Sequence, residues 1–144
     1  MPPAIEKIHP ATSALTMEQA ANILANYQDL WNRAAMPEYL EGFTDDVVVE
    51  FADLPTINGR KELEQMIYAR IARQKGYRLE KALRGVFGST IVCSWTAKWT
   101  DALTGRPMNG KGIEFIELRD GKCCRWEATF NAWPTDAPRQ SLFV

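Results

Sequence analysis

The sequence predicts an α+β fold, with helices first and then a mostly antiparallel sheet. Three observations carry this. Before residue 76 the apolar residues recur mainly at helical spacing. From Gly76 onward the spacing changes to the strand period and keeps it. The 144 residues hold no repeat, linker or shift in composition. They read as one domain, of a size that buries roughly 70% of its unfolded surface. Helices segregated from a run of antiparallel strands define the α+β class.

Residues 1–15 read as a flexible N-terminal arm, 16–134 as the domain and 135–144 as a C-terminal tail. The first helix begins at Thr16, an N-cap residue, with Glu18 and Gln19 in its first turn. Ala20, Ile23, Leu24, Tyr27, Leu30 and Trp31 lie three, four and seven apart and form one apolar stripe. Met36 to Phe43 reads as a second, short helix closed by Gly42. Val47 to Ala52 is the first strand, with Val47, Val49 and Phe51 on one face. Asn58-Gly59-Arg60 is turn chemistry. A third helix runs from about Lys61 to Gln74, with Leu63, Met66, Ile67, Arg70 and Ile71 on one side. Four strands follow: Tyr77 to Phe87, Thr90 to Thr100, Met108 to Leu118 and Lys122 to Phe130. Asp120-Gly121 marks the last hairpin.

The strands are apolar on both faces. Ile113 and Phe115 share one side of their strand, and Ile116 and Leu118 share the other with Glu114. An antiparallel sheet with one wet face does not look like this. One side meets the helices. The other, carrying Ile113, Phe115 and Val92, is expected to be covered by a second copy, giving a homodimer.

Composition excludes several classes. Net charge is -1 and no run of Lys and Arg is longer than two residues, so no basic surface for nucleic acid or an anionic membrane is expected. No apolar run is long enough to span a bilayer. Residues 1–13 lack the basic and apolar regions of a signal peptide. Three cysteines, an odd number, argue against a disulfide framework and for a reducing, cytoplasmic setting. With one histidine and no CxxC, no metal site is expected, and no cofactor.

The order helix, helix, strand, helix, four-stranded meander resembles the nuclear-transport-factor-two-like superfamily in its SnoaL-like branch. The C-terminal half carries most of the resemblance. It lies in Gly112-Ile-Glu-Phe-Ile-Glu-Leu, Asp120-Gly121-Lys122 and Trp126. Leu54-Pro55 with Asn58-Gly59-Arg60 matches the middle. Tyr77-Arg78-Leu79-Glu80-Lys81 and Glu127 to Pro134 look like an uncharacterised subfamily. The resemblance implies a cone-shaped sheet wrapped around about three helices, with an internal pocket for a small, mostly apolar molecule. It does not name a reaction, because one fold hosts many chemistries. The superfamily includes polyketide cyclases, limonene-epoxide hydrolases, steroid isomerases, dehydratases and non-catalytic carriers.

Two of its active sites do not carry over. The Tyr, Asn and second Asp of limonene-epoxide hydrolases would fall on Phe51, Asp53 and Ala128. Their Arg and first Asp would fall among Ser94, Thr96 and Lys98. The acid/base Asp of SnoaL-type cyclases would fall on Asn131, which cannot accept a proton at neutral pH.

Three residues remain as catalytic candidates. Glu114 shares its face with Gly112, Ile116 and Leu118. Burial there disfavours the charged carboxylate and prepares it for proton transfer, unless it is paired with Arg78 or Arg84. Strand parity aims Asp53 toward the pocket mouth as a second carboxylate; otherwise it caps the turn before Leu54-Pro55. Asn131 is a hydrogen-bond donor for a carbonyl or enolate oxygen. Tyr27, Trp31, Phe51, Tyr68, Trp95, Trp126 and Phe130 are the candidate pocket wall. Cys93 is a nucleophile only if its thiol is acidified.

The leading expectation is a cofactor-free acid/base enzyme. It would act as isomerase, cyclase, dehydratase or other lyase, or hydrolase, on a small, partly apolar carbonyl or polyketide-like compound. The alternative is a non-catalytic ligand-binding or dimerisation module of the same fold.

Overall fold

The computed structural model describes residues 14–141, 143 and 144. Most of the expected N-terminal arm, residues 1–13, lies outside them. Leu15 is held down: its N–H donates to Gly88 O at 3.3 Å and its side chain packs on the core.

Helix α1 spans Met17–Asn32. Thr16 caps it through a reciprocal pair of bonds with Gln19, which satisfies two otherwise orphaned N–H groups. Ala20, Leu24, Tyr27 and Trp31 are its buried stripe. Helix α2 is Met36–Glu41, with Pro37 in its first turn. Tyr39 and Leu40 from α2 are buried against the same interior. Helix α3 is Arg60–Arg73; it buries Leu63 and Ile67.

The strands are β1 (Phe43–Phe51), β2 (Ile57–Asn58), β3 (Gln74–Phe87), β4 (Thr90–Asp101), β5 (Pro107–Arg119), β6 (Lys122–Ala128) and β7 (Asn131–Pro134). Their order in the sheet is β2-β1-β6-β5-β4-β3, with β7 paired to β5. The run from β3 to β6 is an antiparallel meander, as the sequence predicts. The return of β1 alongside β6 is parallel, so the curved, unclosed sheet is mixed. Burial alternates along β4 and β5. Ile91, Cys93, Trp95, Ala97 and Trp99 face the helices, as do Glu114, Ile116 and Leu118. Ser94, Thr96 and Lys98 face away from them.

The last predicted strand is in fact two. β6 ends at Ala128, and β7 resumes at Asn131 on the same edge of β5. Between them Thr129 bridges Ile113 through N–H to O (3.0 Å) and through Oγ1, which accepts from Ile113 N–H (2.8 Å). This step turns the Phe130 ring inward, 4.9 Å from Trp95 and 5.4 Å from Phe51. Gly112 lies beneath the step. A Cβ there would overlap Thr129 O and come within 2.6 Å of Trp95 Nε1. The sequence pattern alone runs straight through this break.

Beyond β7, Thr135 N–H donates to Pro107 O, and Arg106 pairs with Asp136 at 2.9 Å. The start of the expected tail is therefore tied to the turn before β5. Among the described residues, no helix is long and apolar enough to cross a membrane.

Candidate functional site

The inward rows of three neighbouring strands meet at one point. On β3 the row is Tyr77, Leu79, Lys81 and Leu83. On β4 it includes Cys93 and Trp95. On β5 it is Gly110, Gly112 and Glu114. Register places Lys81 opposite Trp95 and Gly112, and Leu83 opposite Cys93 and Glu114. Lys81 and Glu114 are thus two strands apart and two positions out of step, a gap that a long lysine spans. Lys81 Nζ donates to Glu114 Oε2 in a tight ion pair, with both side chains buried. Cys93 Sγ donates to the same oxygen at 3.3 Å. Both contacts, from Lys81 and from Cys93, fall on the one oxygen Oε2. At 4% exposure Glu114 is a charge inside the core, and its partner is a lysine rather than the arginine foreseen.

Around this pair stands an aromatic wall of Trp31, Tyr39, Phe51, Tyr77, Trp95, Trp126 and Phe130. The rings interlock: Trp31 meets Tyr39 at 5.1 Å and Tyr77 at 5.7 Å, and Phe51 meets Trp126 at 5.2 Å. The indole N–H groups of Trp95 and Trp126 are buried without a partner. What remains open is small, about 20 Å³ for the centres of water-sized spheres, room for one water.

Arg70 closes the mouth. It extends from α3, and its guanidinium carbon lies 4.7 Å from the Trp31 ring, 4.8 Å from Phe51, and 5.3 Å from both Tyr77 and Phe130. Its Nε donates to Gln74 Oε1 at 3.1 Å. Outside it lies an open groove of about 490 Å³, which shares Phe51, Arg70 and Phe130 with the interior.

Burial fixes the protonation of several neighbours. Desolvation pushes the Cys93 thiol up to about 12, and the nearby Glu114 charge adds to the shift. Cys93 is therefore a neutral thiol near pH 7 and not the acidified nucleophile the chemistry would need. Desolvation likewise raises Tyr77 to about 12, against the opposing pull of Arg70. Tyr39 is raised well above a phenol's usual value by its burial and by Glu114. Both remain neutral phenols.

Of the residues singled out from sequence, the structure brings together Glu114, Trp31, Phe51, Trp95, Trp126 and Phe130. Four others are placed elsewhere. Tyr27 is buried beside the cavity but turns its hydroxyl to Gly42 O at 2.6 Å. Tyr68 is 46% exposed, because Leu63, Ile67 and Arg70 occupy the inward arc of α3 and leave it on the outer side. Asp53 is exposed on the groove rim; Ala52 takes a positive φ of 50°, which breaks the strand parity that aimed Asp53 inward. Asn131 is exposed opposite Lys111, because the step at Thr129 and Phe130 resets the parity of β7. Tyr68, Asp53 and Asn131 do not join Glu114 inside the cone.

The residues that sequence reasoning missed are Lys81, Arg70, Tyr39 and Tyr77. Two of them had a visible signal. Lys81 is a cation in register with Tyr77, Leu79 and Leu83, and Arg70 is a cation on the apolar stripe of α3.

This arrangement, a mixed bent sheet with three helices and a buried ion pair in its interior, agrees with the family comparison. The sequence profile of the SnoaL-like domain matches residues 24–126. The chain belongs to the SnoaL-like domain family. Solved structures share the fold at low identity. A candidate isomerase from Bacillus subtilis superposes with TM-score 0.70 at 20% identity, over 79% of this chain and 87% of that one. A candidate polyketide cyclase from Xanthomonas campestris gives TM-score 0.70 at 17% identity, over 79% and 91%. An LEH-like epoxide hydrolase from M. tuberculosis gives TM-score 0.66 at 15% identity, over 78% and 82%. No curated protein sequence matches the chain. The positions where the hydrolase machinery would fall carry Phe51, Asp53, Ala128 and the outward row of Ser94, Thr96 and Lys98 in this SnoaL-like domain.

Proposed function

We propose that this SnoaL-like domain is a cofactor-free acid/base enzyme acting on a small, partly apolar carbonyl compound, with Glu114 as the proton-transfer residue and Lys81 beside it. The observation that carries this is the buried Lys81–Glu114 pair inside an aromatic wall. A buried ion pair is weak support for stability, because desolvation offsets the attraction. Such pairs cluster where chemistry needs them.

In this reading the Glu114 carboxylate takes a proton from the carbon beside the substrate carbonyl. The electron pair of that C–H bond moves onto the carbonyl oxygen, giving an enolate. The Lys81 ammonium donates a hydrogen bond to that oxygen, where a low dielectric makes the attraction strong. The Glu114 carboxylic acid then returns the proton at another carbon, which is isomerisation, or to a departing hydroxyl, which is dehydration. Cyclisation uses the same enolate as carbon nucleophile.

Glu114→Gln keeps the shape and removes the titrating group. Once a substrate is found by screening carbonyl compounds for turnover, this variant should lose about 10²- to 10⁴-fold in kcat with binding retained. Unchanged turnover in a folded Glu114→Gln protein overturns the assignment.

One observation favours a second reading, a non-catalytic binding protein: the interior has room for one water while Arg70 closes the mouth. We also propose that the outer face of β4 and β5 receives a second copy of this chain. Ile113 and Phe115 are 52% and 49% exposed there, and register sets Val92 beside Phe115.

A further inference from the structure

We infer that Arg70 is the anchor for a carboxylate, so that the ligand of this site is a small organic acid with a flat or compact apolar body. The inference rests on reading the cavity as the substrate site, and it adds a charge to the substrate class.

The charges around the mouth lead to it. Lys81 is neutralised by Glu114, Arg73 by Asp101 at 2.8 Å, and Arg106 by Asp136 at 2.9 Å. Arg70 has no carboxylate within 4.0 Å among the described residues. Asp53, on the rim of the same groove, makes no ion pair with it. Arg70 is therefore a cation at the cone mouth with no carboxylate in contact, and a monoanion fills that contact.

The setting of that charge is also unusual. The guanidinium is hydrogen-bonded through Nε to Gln74 and otherwise rests among four aromatic rings. Ring faces hold a cation more weakly than a carboxylate does in its two-pronged contact. Beyond Gln74 the guanidinium meets only the neutral Tyr77 hydroxyl, so the edge that meets a carboxylate side-on has no anionic partner among the described residues. An arriving carboxylate thus offers Arg70 a better partner than the rings.

Position supplies the last step. Phe51, Arg70 and Phe130 border both the outer groove and the inner cavity. A molecule passing from one to the other must move the guanidinium. Recognition of the acid and opening of the mouth are then one event. The apolar body takes the place left among the rings, with its reacting carbon toward Glu114.

The test uses benzoate, its neutral isostere benzamide, and benzylammonium on the full chain, by thermal shift and calorimetry. Benzoate should raise the melting temperature and bind about tenfold or more tightly than benzamide, the size of one charge-assisted contact. Benzylammonium should not bind. Arg70→Met keeps the length and apolar packing and should bring benzoate down to the benzamide level. If Arg70→Met does not fold, the Arg70 Nε–H resonance of the wild type decides: it should shift with benzoate and not with benzamide. Equal binding of benzoate and benzamide overturns the inference. So does no binding of either, a preference that survives Arg70→Met, or an unmoved Arg70 resonance. A benzoate preference lost in Arg70→Met alongside normal turnover in Glu114→Gln keeps the acid anchor and removes only the catalytic assignment.

Discussion

Lys81 on β3 and Glu114 on β5 form an ion pair across the intervening strand, over Cys93 and Trp95, with both side chains out of water. Each charge depends on the other, and this makes the first prediction. Lys81→Met or Glu114→Leu alone strands a buried charge and should cost about 3–5 kcal/mol in urea unfolding. The double variant replaces the pair by apolar side chains and should recover most of that loss. A double variant as unstable as the sum of the singles would mean the pair contributes packing and no charge coupling.

Gly112 carries the second prediction. The step at Thr129 that drops Phe130 into the mouth places Thr129 O where the Cβ of residue 112 would go. Gly112→Ala should therefore destabilise by about 1–3 kcal/mol as the backbone shifts to relieve the overlap. It should also move Phe130, seen as a changed environment for Trp95 in fluorescence. Gly85→Ala is the control: nothing lies within 4 Å of that added methyl group. Equal melting temperatures for the two variants would refute the packing account.

The sequence announced most of the frame because period and punctuation are local. Thr16, Gly42 and Asp120-Gly121 each mark an element end that the structure keeps. Glu114 was legible for the same reason, as a carboxylate in an otherwise apolar row. Its partner was not, because Lys81 reaches it by register between strands β3 and β5, and one chain's pattern does not reveal register. Asn131 and Asp53 were misplaced by parity carried across a backbone break, at Thr129-Phe130 and at Ala52. Arg70 stood visibly on the apolar stripe of α3. Its meaning appears only once four rings from separate elements are seen around it.

The outer sheet face gives the third prediction. Sedimentation at micromolar protein should give twice the 16.3 kDa of one chain. Phe115→Lys puts a charge in the middle of the proposed contact and should yield monomer while preserving the melting curve at low protein concentration. A wild type that sediments as a single chain at that concentration ends the dimer proposal.

The last prediction concerns acid stability and Asp101. This carboxylate sits at the end of β4, where Arg73 Nε donates to it at 2.8 Å and Thr104 donates through N–H and Oγ1 at 3.0 and 2.9 Å. It thereby ties the end of α3 to the β4–β5 hairpin. The Arg73 hydrogen bond, and then those of Thr104, hold its carboxyl below the usual carboxylate range. A lowered folded value means that the unfolded chain takes up the proton first as pH falls. The stabilisation is therefore complete above the unfolded value, about 3.9, and disappears as pH drops through the folded one. Asp101→Asn removes the titrating group and keeps the size. Unfolding in urea at pH 7, 5, 4 and 3 should show wild type and variant furthest apart at pH 7 and converging toward pH 3. Asp46, paired with Arg119 on the exposed surface, is lowered too, but solvent screens that pair. Asp46→Asn should thus change the acid limb less. A gap between wild type and Asp101→Asn that stays constant from pH 7 to pH 3 would show that Asp101 acts through shape and not through its charge.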